Sequence, residues 1–184
     1  RDELLVAFNL YCRLPFGKLH RLNPDIIDLA KRLGRTPSSI AMKLCNFASL
    51  DPAQKSRKIK GLRNASSADK RIFSEFDADW ENLAAESEAA ARRIGISRKN
   101  RHKGKFFPNT ELLARETEAF RNVRVRLAQS LFRDTVLSGY GFRCAISGIA
   151  LPSLLQASHI IPWAYDKSRR LDPRNGIALS ALHD

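Results

Sequence analysis

The chain has 184 residues, 43% of them hydrophobic, enough for one large domain or two small ones, each with a core. Lys and Arg number 32 against 19 Asp and Glu, a net charge of +13 that favours nucleic acid as the anionic partner. No apolar run approaches the ~20 residues that span a bilayer. The three scattered cysteines indicate a reducing compartment and argue against a disulfide framework or a Cys-based zinc site. We therefore expect a cytoplasmic protein with no membrane partner.

Capping signals predict where the helices of the N-terminal part begin. Residues 3–33 are predicted to form two helices. The second has Asn23 as its N-cap, Pro24 at the first helical position and Gly34 as its stop. A third helix is predicted to begin after Thr36. Its predicted buried residues are Ile40, Leu44 and Phe47.

The second and third predicted helices favour contact with DNA. A helix, a Gly-containing turn and a helix that opens with Arg-Thr-Pro-Ser-Ser, residues 35–39, are typical of a helix-turn-helix. The third helix would direct free backbone N–H groups, small hydroxyls and Arg35 to one side. Such a set suits a phosphate or the wall of a groove. Plain helical hairpins share the pattern, so the net charge is needed to favour the DNA interpretation.

A basic loop, a long helix and a basic linker are predicted next. Residues 54–65 hold five Lys or Arg and no acid, which fits either a solvated loop or a phosphate-contacting arm. A single long helix is predicted from a Ser66/Asp69 capping box onward. Its predicted core residues are Ile72, Phe73, Phe76, Trp80 and Leu83, and its predicted solvated acids are Asp77, Asp79 and Glu81. Residues 92–105 read as a basic interdomain linker, attracted to the DNA that both domains share.

Three polar residues of the C-terminal part are predicted to lie, in chain order, on a strand, a loop and a helix. A helical stretch rich in Arg starts near Thr110 and carries an apolar repeat at helical spacing. The segment FRCAISG is predicted to be a short strand that ends in a turn, and LLQASHIIPW a second strand that carries His159. A loop then carries Asn175, and His183 lies on the start of a helix.

The segments RCAISG, ASHIIPW and RLDPRNGIALSALHD resemble the HNH nuclease family over residues 115–184. The resemblance implies a ββα-metal fold with one divalent cation such as Mg or Mn. It implies that His159 is the general base, kept neutral by apolar neighbours, because phosphodiester hydrolysis needs a base for water and a cation beside the phosphate. Asn175 would orient the imidazole or bind the metal, and His183 would be a metal ligand.

Two departures from the family pattern affect the metal site. Ser158 stands where many members have a carboxylate or a second histidine, and serine is a poor metal ligand. The family's helix continues beyond the His-Asp pair with further polar residues. We therefore expect the nuclease module to be incomplete at its C-terminus, the metal set to be incomplete with it, and residues 1–184 alone to cleave poorly.

The stretches LPFGKLHRLNP and LGRTPSSIAMKLCNFASLDP of the N-terminal part resemble the corresponding domains of small McrA-type HNH restriction enzymes, in particular the sulfur-binding domains that recognise phosphorothioated DNA. Sulfur is larger and less hydrated than the oxygen it replaces, so a reader should offer an apolar notch rimmed by cations and N–H donors. The predicted notch is Pro37, Ala41, Ala48 and the region of Phe16; the predicted rim is Lys18, His20, Arg35 and Lys43. Thr36, Ser38, Ser39 and Ser49 complete the predicted DNA-binding residues.

The predicted fold class is mostly α, with a DNA-recognition domain over residues 1–91, a linker over 92–109 and an HNH module over 110–184. The leading functional hypothesis is a modification-dependent DNA endonuclease of restriction type, acting on double-stranded DNA, with a homodimer left open. A reader of modified cytosine is the first alternative; it would need an aromatic pocket for a flipped base. An HNH nuclease that acts on unmodified DNA and a non-enzymatic DNA-binding regulator with a degenerate HNH remnant also remain open.

Overall fold

The computed structural model describes residues 1–60, 62, 64–96 and 118–184. Over these ranges the chain is mostly helical, with one antiparallel sheet of two strands. The helices are α1 (Asp2–Arg13), α2 (Pro24–Arg32), α3 (Pro37–Leu50), α4 (Pro52–Ser56), α5 (Ser67–Ala78), α6 (Trp80–Arg93) and α7 (Glu118–Gly139). The strands are β1 (Leu155–His159) and β2 (Gly176–Ser180). No helix in the described ranges combines the length and apolar character needed to cross a membrane.

Most of the predicted linker lies outside the described residues. This applies to residues 97–109 and with them the basic residues Arg98, Lys99, Arg101 and Lys103. The predicted start of the HNH module at 110 lies outside as well. The division into domains over 1–91 and 110–184 therefore stays a prediction.

The predicted starts of α2 and α3 are confirmed. The side chain of Asn23 accepts a hydrogen bond from Asp25 N at 2.8 Å, and Pro24 opens α2. The hydroxyl of Thr36 accepts one from Ser39 N at 3.2 Å at the start of α3. Between the helices Gly34 adopts φ +61°, a left-handed conformation that glycine takes without strain. Helices α2 and α3 pack on each other, and the helix-turn-helix character of the pair remains a prediction.

The prediction of one long helix after Ser66 is wrong, because the helix breaks at Asp79. Asp79 has φ −146°, and its carboxylate accepts a hydrogen bond from Asn82 N at 3.0 Å, so it caps a new helix, α6. A short Asp side chain offers the backbone this alternative to continuing a helix. The capping box is confirmed: Asp69 N donates to Ser66 Oγ at 3.2 Å, and Ser66 N donates to the Asp69 carboxylate at 3.0 Å.

The N-terminal core is aromatic and forms between α1, α3 and α5. Phe8 lies at its centre, with ring centroids 5.0 Å from Phe47 and 4.2 Å from Phe76. The predicted buried residues of α3, Ile40, Leu44 and Phe47, are buried. Of the predicted core of the following helices, Ile72, Phe76 and Leu83 are buried, whereas Phe73 and Trp80 are half-buried.

Helix α7 connects the helical N-terminal part to the sheet. On one side it packs against α1 and α6, where the buried Ser138 hydroxyl donates to Cys12 O at 2.7 Å. Arg13 of α1 also pairs with Asp134 of α7, its Nε 3.1 Å from the carboxylate. On the other side α7 packs against β1 and β2 through Phe132 and Val136. The two parts of the chain are therefore in direct contact through one helix.

Two predictions about the strands are wrong and one is confirmed. FRCAISG contains turns and a bend but no strand, and Phe142 at its start has φ 56°, outside the extended range of strands; the turn predicted at its end is present, with Gly148 at φ 71°. LLQASHIIPW contains β1 as predicted. Its antiparallel partner is β2, which was predicted as loop and helix start. In β2 buried residues alternate with half-buried ones, the period of two that strands follow.

Gly176 lets the sheet approach α7 closely. It lies opposite His159 in the pairing register, and a Cβ at this position would lie inside contact distance of Val136 Cγ2 and 3.1 Å from Phe132 Cζ. Any side chain here would therefore push β2 away from α7, together with the strand that carries His159.

Gly176→Ala is expected to lower the free energy of unfolding by about 1–3 kcal/mol, because the added methyl group overpacks this interface. The measurement is urea-induced unfolding followed by circular dichroism. Gly139→Ala is the matched control, since a Cβ at the end of α7 meets nothing within 4 Å. Equal stability of the two variants would contradict the close packing of β2 on α7.

Candidate active site

His159 lies at the end of β1 and its ring packs against α7. The imidazole stacks on Phe132, with centroids 4.7 Å apart and an interplanar angle of 6°. Trp163 stands edge-on to the same imidazole at 5.4 Å and 85°. Because the facing residue is Gly176, nothing from β2 competes with Phe132 for this space. The two aromatic rings hold the half-buried imidazole in one orientation.

A backbone carbonyl determines which ring nitrogen of His159 carries a proton. Nε2 of His159 is 2.7 Å from the carbonyl oxygen of Arg170. A carbonyl oxygen only accepts hydrogen bonds, so Nε2 is the donor. In the neutral imidazole the lone pair then belongs to Nδ1. A general base needs such a lone pair, so Nδ1 is the atom that can take a proton from water.

Asn175 closes the loop between β1 and β2. Its Oδ1 accepts from Ile161 N at 2.7 Å, and its Nδ2 donates to Ile161 O at 3.1 Å and to Arg169 O at 3.2 Å. The side chain is 5% exposed. Both amide atoms thus bind backbone. By holding Arg169 O the side chain fixes the residue next to Arg170, whose carbonyl meets His159; the predicted roles of Asn175, orienting the imidazole or binding the metal, stay predictions.

His183 lies in a turn after β2, not on a helix as predicted. It is exposed, and its Nδ1 is 2.9 Å from Ser180 Oγ and 3.8 Å from Cys144 Sγ. Burial acts to raise the pKa of Cys144, but hydrogen bonds from the side chain and backbone of Ser147 outweigh it and lower the pKa to about 5. The Cys144 thiol therefore gives up its proton more readily than an ordinary cysteine, and its sulfur lies beside the imidazole of His183. Sequence reasoning missed this pair, because 39 residues separate its members.

Ser158 and Asp184 are also brought together. The Ser158 hydroxyl donates to the Asp184 carboxylate, so an acidic group reaches the position before His159 where the sequence has only a serine. Side chains alternate along a strand, and Ser158 therefore points away from the face on which His159 meets α7. The Asp184 carboxylate and the imidazole of His183, the preceding residue in the chain, are groups of the kind that can ligate a cation.

Most of the predicted DNA-binding residues are exposed, some at the start of α3 and others in the turn before α2. Exposed members of the set are Lys18, His20, Arg35, Thr36, Ser38 and Ser39, and Pro37 is half-buried. The turn that carries Lys18 and His20 is held against α3, because Cys45 Sγ lies 3.7 Å from Leu19 O. Arg35 is paired with Glu3 at 3.2 Å on the surface.

The other four members of the predicted set, all on α3, are buried or bonded to the protein itself. Ala48 has no exposed surface and cannot line an open notch, which corrects that prediction; Ala41 is 8% exposed. Lys43 donates to both carboxylate oxygens of Asp69, at 2.9 and 3.1 Å, so its charge serves a structural ion pair rather than a free rim. Ser49 donates to Asn46 O at 2.6 Å within α3.

Residues 144–184 match a family model described as HNH endonuclease. The matched segment contains His159, Asn175 and His183, and it supports an HNH nuclease whose substrate is DNA. Searches of curated proteins and of solved structures found no match. The N-terminal helices therefore have no counterpart among the comparisons.

HNH nucleases generally use a divalent metal ion, and the donor set here fits one only in part. Asp184 and His183 offer a carboxylate and an imidazole, but no three His, Cys, Asp or Glu residues converge within the described parts of the chain. Asn175, the third predicted ligand, uses its amide group on the backbone. We therefore derive no catalytic step through a metal.

Proposed function

We propose that this protein is a modification-dependent DNA endonuclease of restriction type, in which the C-terminal part hydrolyses a phosphodiester bond and the N-terminal part recognises phosphorothioated DNA. The observation that carries the proposal is the arrangement of His159. Its Nε2 donates to the Arg170 carbonyl, so Nδ1 is the ring nitrogen left to act as a base, and the contacts with Phe132 and Trp163 hold the ring in place. The match of this segment to HNH endonucleases supports the same reaction.

In the proposed reaction Nδ1 of His159 takes a proton from water as the water attacks phosphorus. The ester bond between phosphorus and the leaving oxygen breaks, and that oxygen departs with a proton from solvent, which gives a phosphate monoester and a free hydroxyl. The hydrogen bond to Arg170 O stabilises the imidazolium that results, because Nε2–H makes a stronger hydrogen bond to the carbonyl when the ring is positively charged. Phe132 and Trp163 keep the ring from rotating, which preserves the geometry between base and water. The loop held by Asn175 keeps the carbonyl in place.

The start of α3 supports the proposed reading of the DNA backbone. Here a helix N-terminus, Arg35 and the hydroxyls of Ser38 and Ser39 face solvent together. Backbone N–H groups at a helix N-terminus bind phosphate without regard to base sequence. The half-buried Pro37 and the nearly buried Ala41 border this set with apolar surface. Such surface favours sulfur over a more strongly hydrated oxygen.

The proposal is tested by binding and cleavage assays on duplexes of one sequence that carry phosphorothioate, methylated cytosine or no modification. Tighter binding of the full chain to the phosphorothioated duplex by about tenfold to a hundredfold is expected, since one contact worth about 1.4–3 kcal/mol separates the ligands. A preference for the methylated duplex instead would identify a reader of modified cytosine. Equal binding to all three would contradict modification dependence.

Ala41→Leu is expected to remove the preference for phosphorothioate. The larger side chain would occupy the space proposed for the sulfur atom, while Arg35 would still contact the DNA backbone. The measurement is the ratio of the Kd values for the modified and plain duplexes. Met42→Leu is the matched control, since Met42 is the next residue of α3 and is 55% exposed. An unchanged ratio in a folded Ala41→Leu variant would place the sulfur contact elsewhere.

A further inference from the structure

Arg170 contacts the surroundings of His159 in two ways. Its backbone carbonyl accepts the hydrogen bond from His159 Nε2 at 2.7 Å. Its side chain turns back to Trp163, where Nε donates to Trp163 O at 2.7 Å and the guanidinium lies over the indole, 5.0 Å from the ring centroid. One residue therefore holds the imidazole with its main chain and the neighbouring aromatic ring with its side chain.

The contacts of Arg170 close a ring of interactions around the imidazole. The imidazole of His159 contacts two aromatic rings, and Trp163 is the one that stands edge-on to it. The Arg170 side chain holds Trp163 in this position. Phe132 supplies the first from α7. On the far side of Arg170, Asn175 binds the carbonyl of Arg169 at 3.2 Å. The loop is thus anchored at Trp163 and at Arg169, and the Arg170 carbonyl lies between these anchors.

We propose that Arg170 is a positioning residue for the hydrolytic reaction: its Nε–H to Trp163 O bond and its stacking hold the loop so that His159 keeps its proton on Nε2 and presents Nδ1 to water. The effect of Arg170 on the rate of hydrolysis rests on the proposed function. Its effect on the position and the protonated nitrogen of His159 does not. The bond uses Nε, the guanidinium nitrogen that is attached to Cδ of the side chain. Arg170 therefore acts here as a directional hydrogen-bond donor and not only as a positive charge.

Three substitutions separate the donor from the charge. In glutamine the amide nitrogen occupies the same place along the side chain as Nε, so Arg170→Gln keeps a donor for Trp163 O and removes the charge. Arg170→Lys keeps the charge but places a methylene group where Nε was. Arg170→Met keeps the side-chain length up to that point and loses both. The positioning role predicts that Gln substitutes for Arg better than Lys does.

The first readout is nitrogen-15 NMR of the His159 ring in the full chain, which reports the protonated nitrogen and the exchange of its proton with water. The unchanged chain and Arg170→Gln are expected to show a protonated Nε2 with slow exchange. Arg170→Lys and Arg170→Met are expected to exchange at least about tenfold faster, because the carbonyl is no longer held. Unchanged exchange in the Lys and Met variants would overturn the inference.

The second readout is the single-turnover rate of cleavage, measured at a temperature where every variant is folded. Lys and Met are expected to lower the rate by about tenfold to a hundredfold, the scale of a base displaced by about 1 Å, and Gln by less than about fivefold. Recovery of the rate by Lys but not by Gln would show instead that Arg170 acts through its charge on DNA. If the unchanged chain does not cleave DNA, the proposed function fails while the NMR result still decides the role of Arg170.

Discussion

His159→Ala is expected to lower the rate of DNA cleavage by at least about 10²–10⁴-fold, the usual contribution of a positioned general base. The Kd for DNA should stay within about twofold of that of the unchanged chain, because the ring is packed between Phe132 and Trp163 and contributes to chemistry rather than to docking. The measurements are cleavage of a labelled duplex with Mg²⁺ or Mn²⁺ supplied, and fluorescence anisotropy for binding.

The control for His159→Ala is Tyr165→Ala in the same loop. Tyr165 is 83% exposed, so its removal changes an aromatic side chain near the site without touching the imidazole. This variant is expected to cleave at the unchanged rate. Thermal unfolding of both variants shows whether a lost rate reflects lost structure. Cleavage retained by a folded His159→Ala variant would remove His159 from the mechanism.

Asp69→Asn is expected to destabilise the protein by about 3 kcal/mol at pH 7, the lower end of the cost of removing one partner from a buried ion pair. The Asp69 side chain is fully buried and pairs with Lys43, which is 30% exposed. Ser66 N at 3.0 Å and Asn46 Nδ2 at 3.3 Å also donate to the carboxylate. The substitution therefore leaves an ammonium group without its partner and weakens the cap of α5.

The Asp69 carboxylate should also make the free energy of unfolding depend on pH in the acidic range. Burial acts to raise the pKa of Asp69, but the hydrogen bonds from Lys43 and Ser66 outweigh it and hold the pKa below its ordinary value. A lowered pKa means that the stabilisation is complete above the ordinary value, about 4, and is lost as the pH falls through the folded-state value. The difference between the unchanged chain and Asp69→Asn should thus shrink below about pH 4.

Urea unfolding at pH 7 and at pH 3 measures both effects. The control is Asp28→Asn, which removes an exposed surface pair between Asp28 and Arg32, and is expected to change stability by less than about 1 kcal/mol. If Asp69→Asn is no more destabilising than Asp28→Asn, the buried pair does not hold α3 to α5. The result also bears on DNA recognition, since Lys43 lies on α3 beside the proposed reading surface.

Local signals predicted the helix starts of this protein correctly. The caps at Asn23, Thr36 and Ser66 involve a side chain and a backbone N–H two or three residues away, so the sequence contains both partners of each bond. The apolar stripe of α3 was predicted equally well, because a helix repeats its buried face over a few residues. The interruption at Asp79 was missed, although it too is a local cap, because the apolar pattern continues across it.

The pairing of β1 with β2 could not be predicted from the local sequence. β2 is short, and its residues became a strand because β1 lies beside them and α7 covers their buried side. Strand preference depends on such neighbours more than helix preference does. The turn FRCAISG, which resembles a strand in composition, instead brings Cys144 to His183 from 39 residues away.

For the candidate site, the sequence alone predicted His159 as the base and the HNH resemblance of its segment, which the family model over residues 144–184 supports, since residue types in order along the chain define such a motif. Only the tertiary structure decided how His159 is held. Phe132 of α7 supplies the stacked ring, and the carbonyl of Arg170, 11 residues along the chain, assigns the proton to Nε2. A ring nitrogen acquires its role from the atoms that surround it, and those atoms meet only when α7, β1 and the loop before β2 pack together.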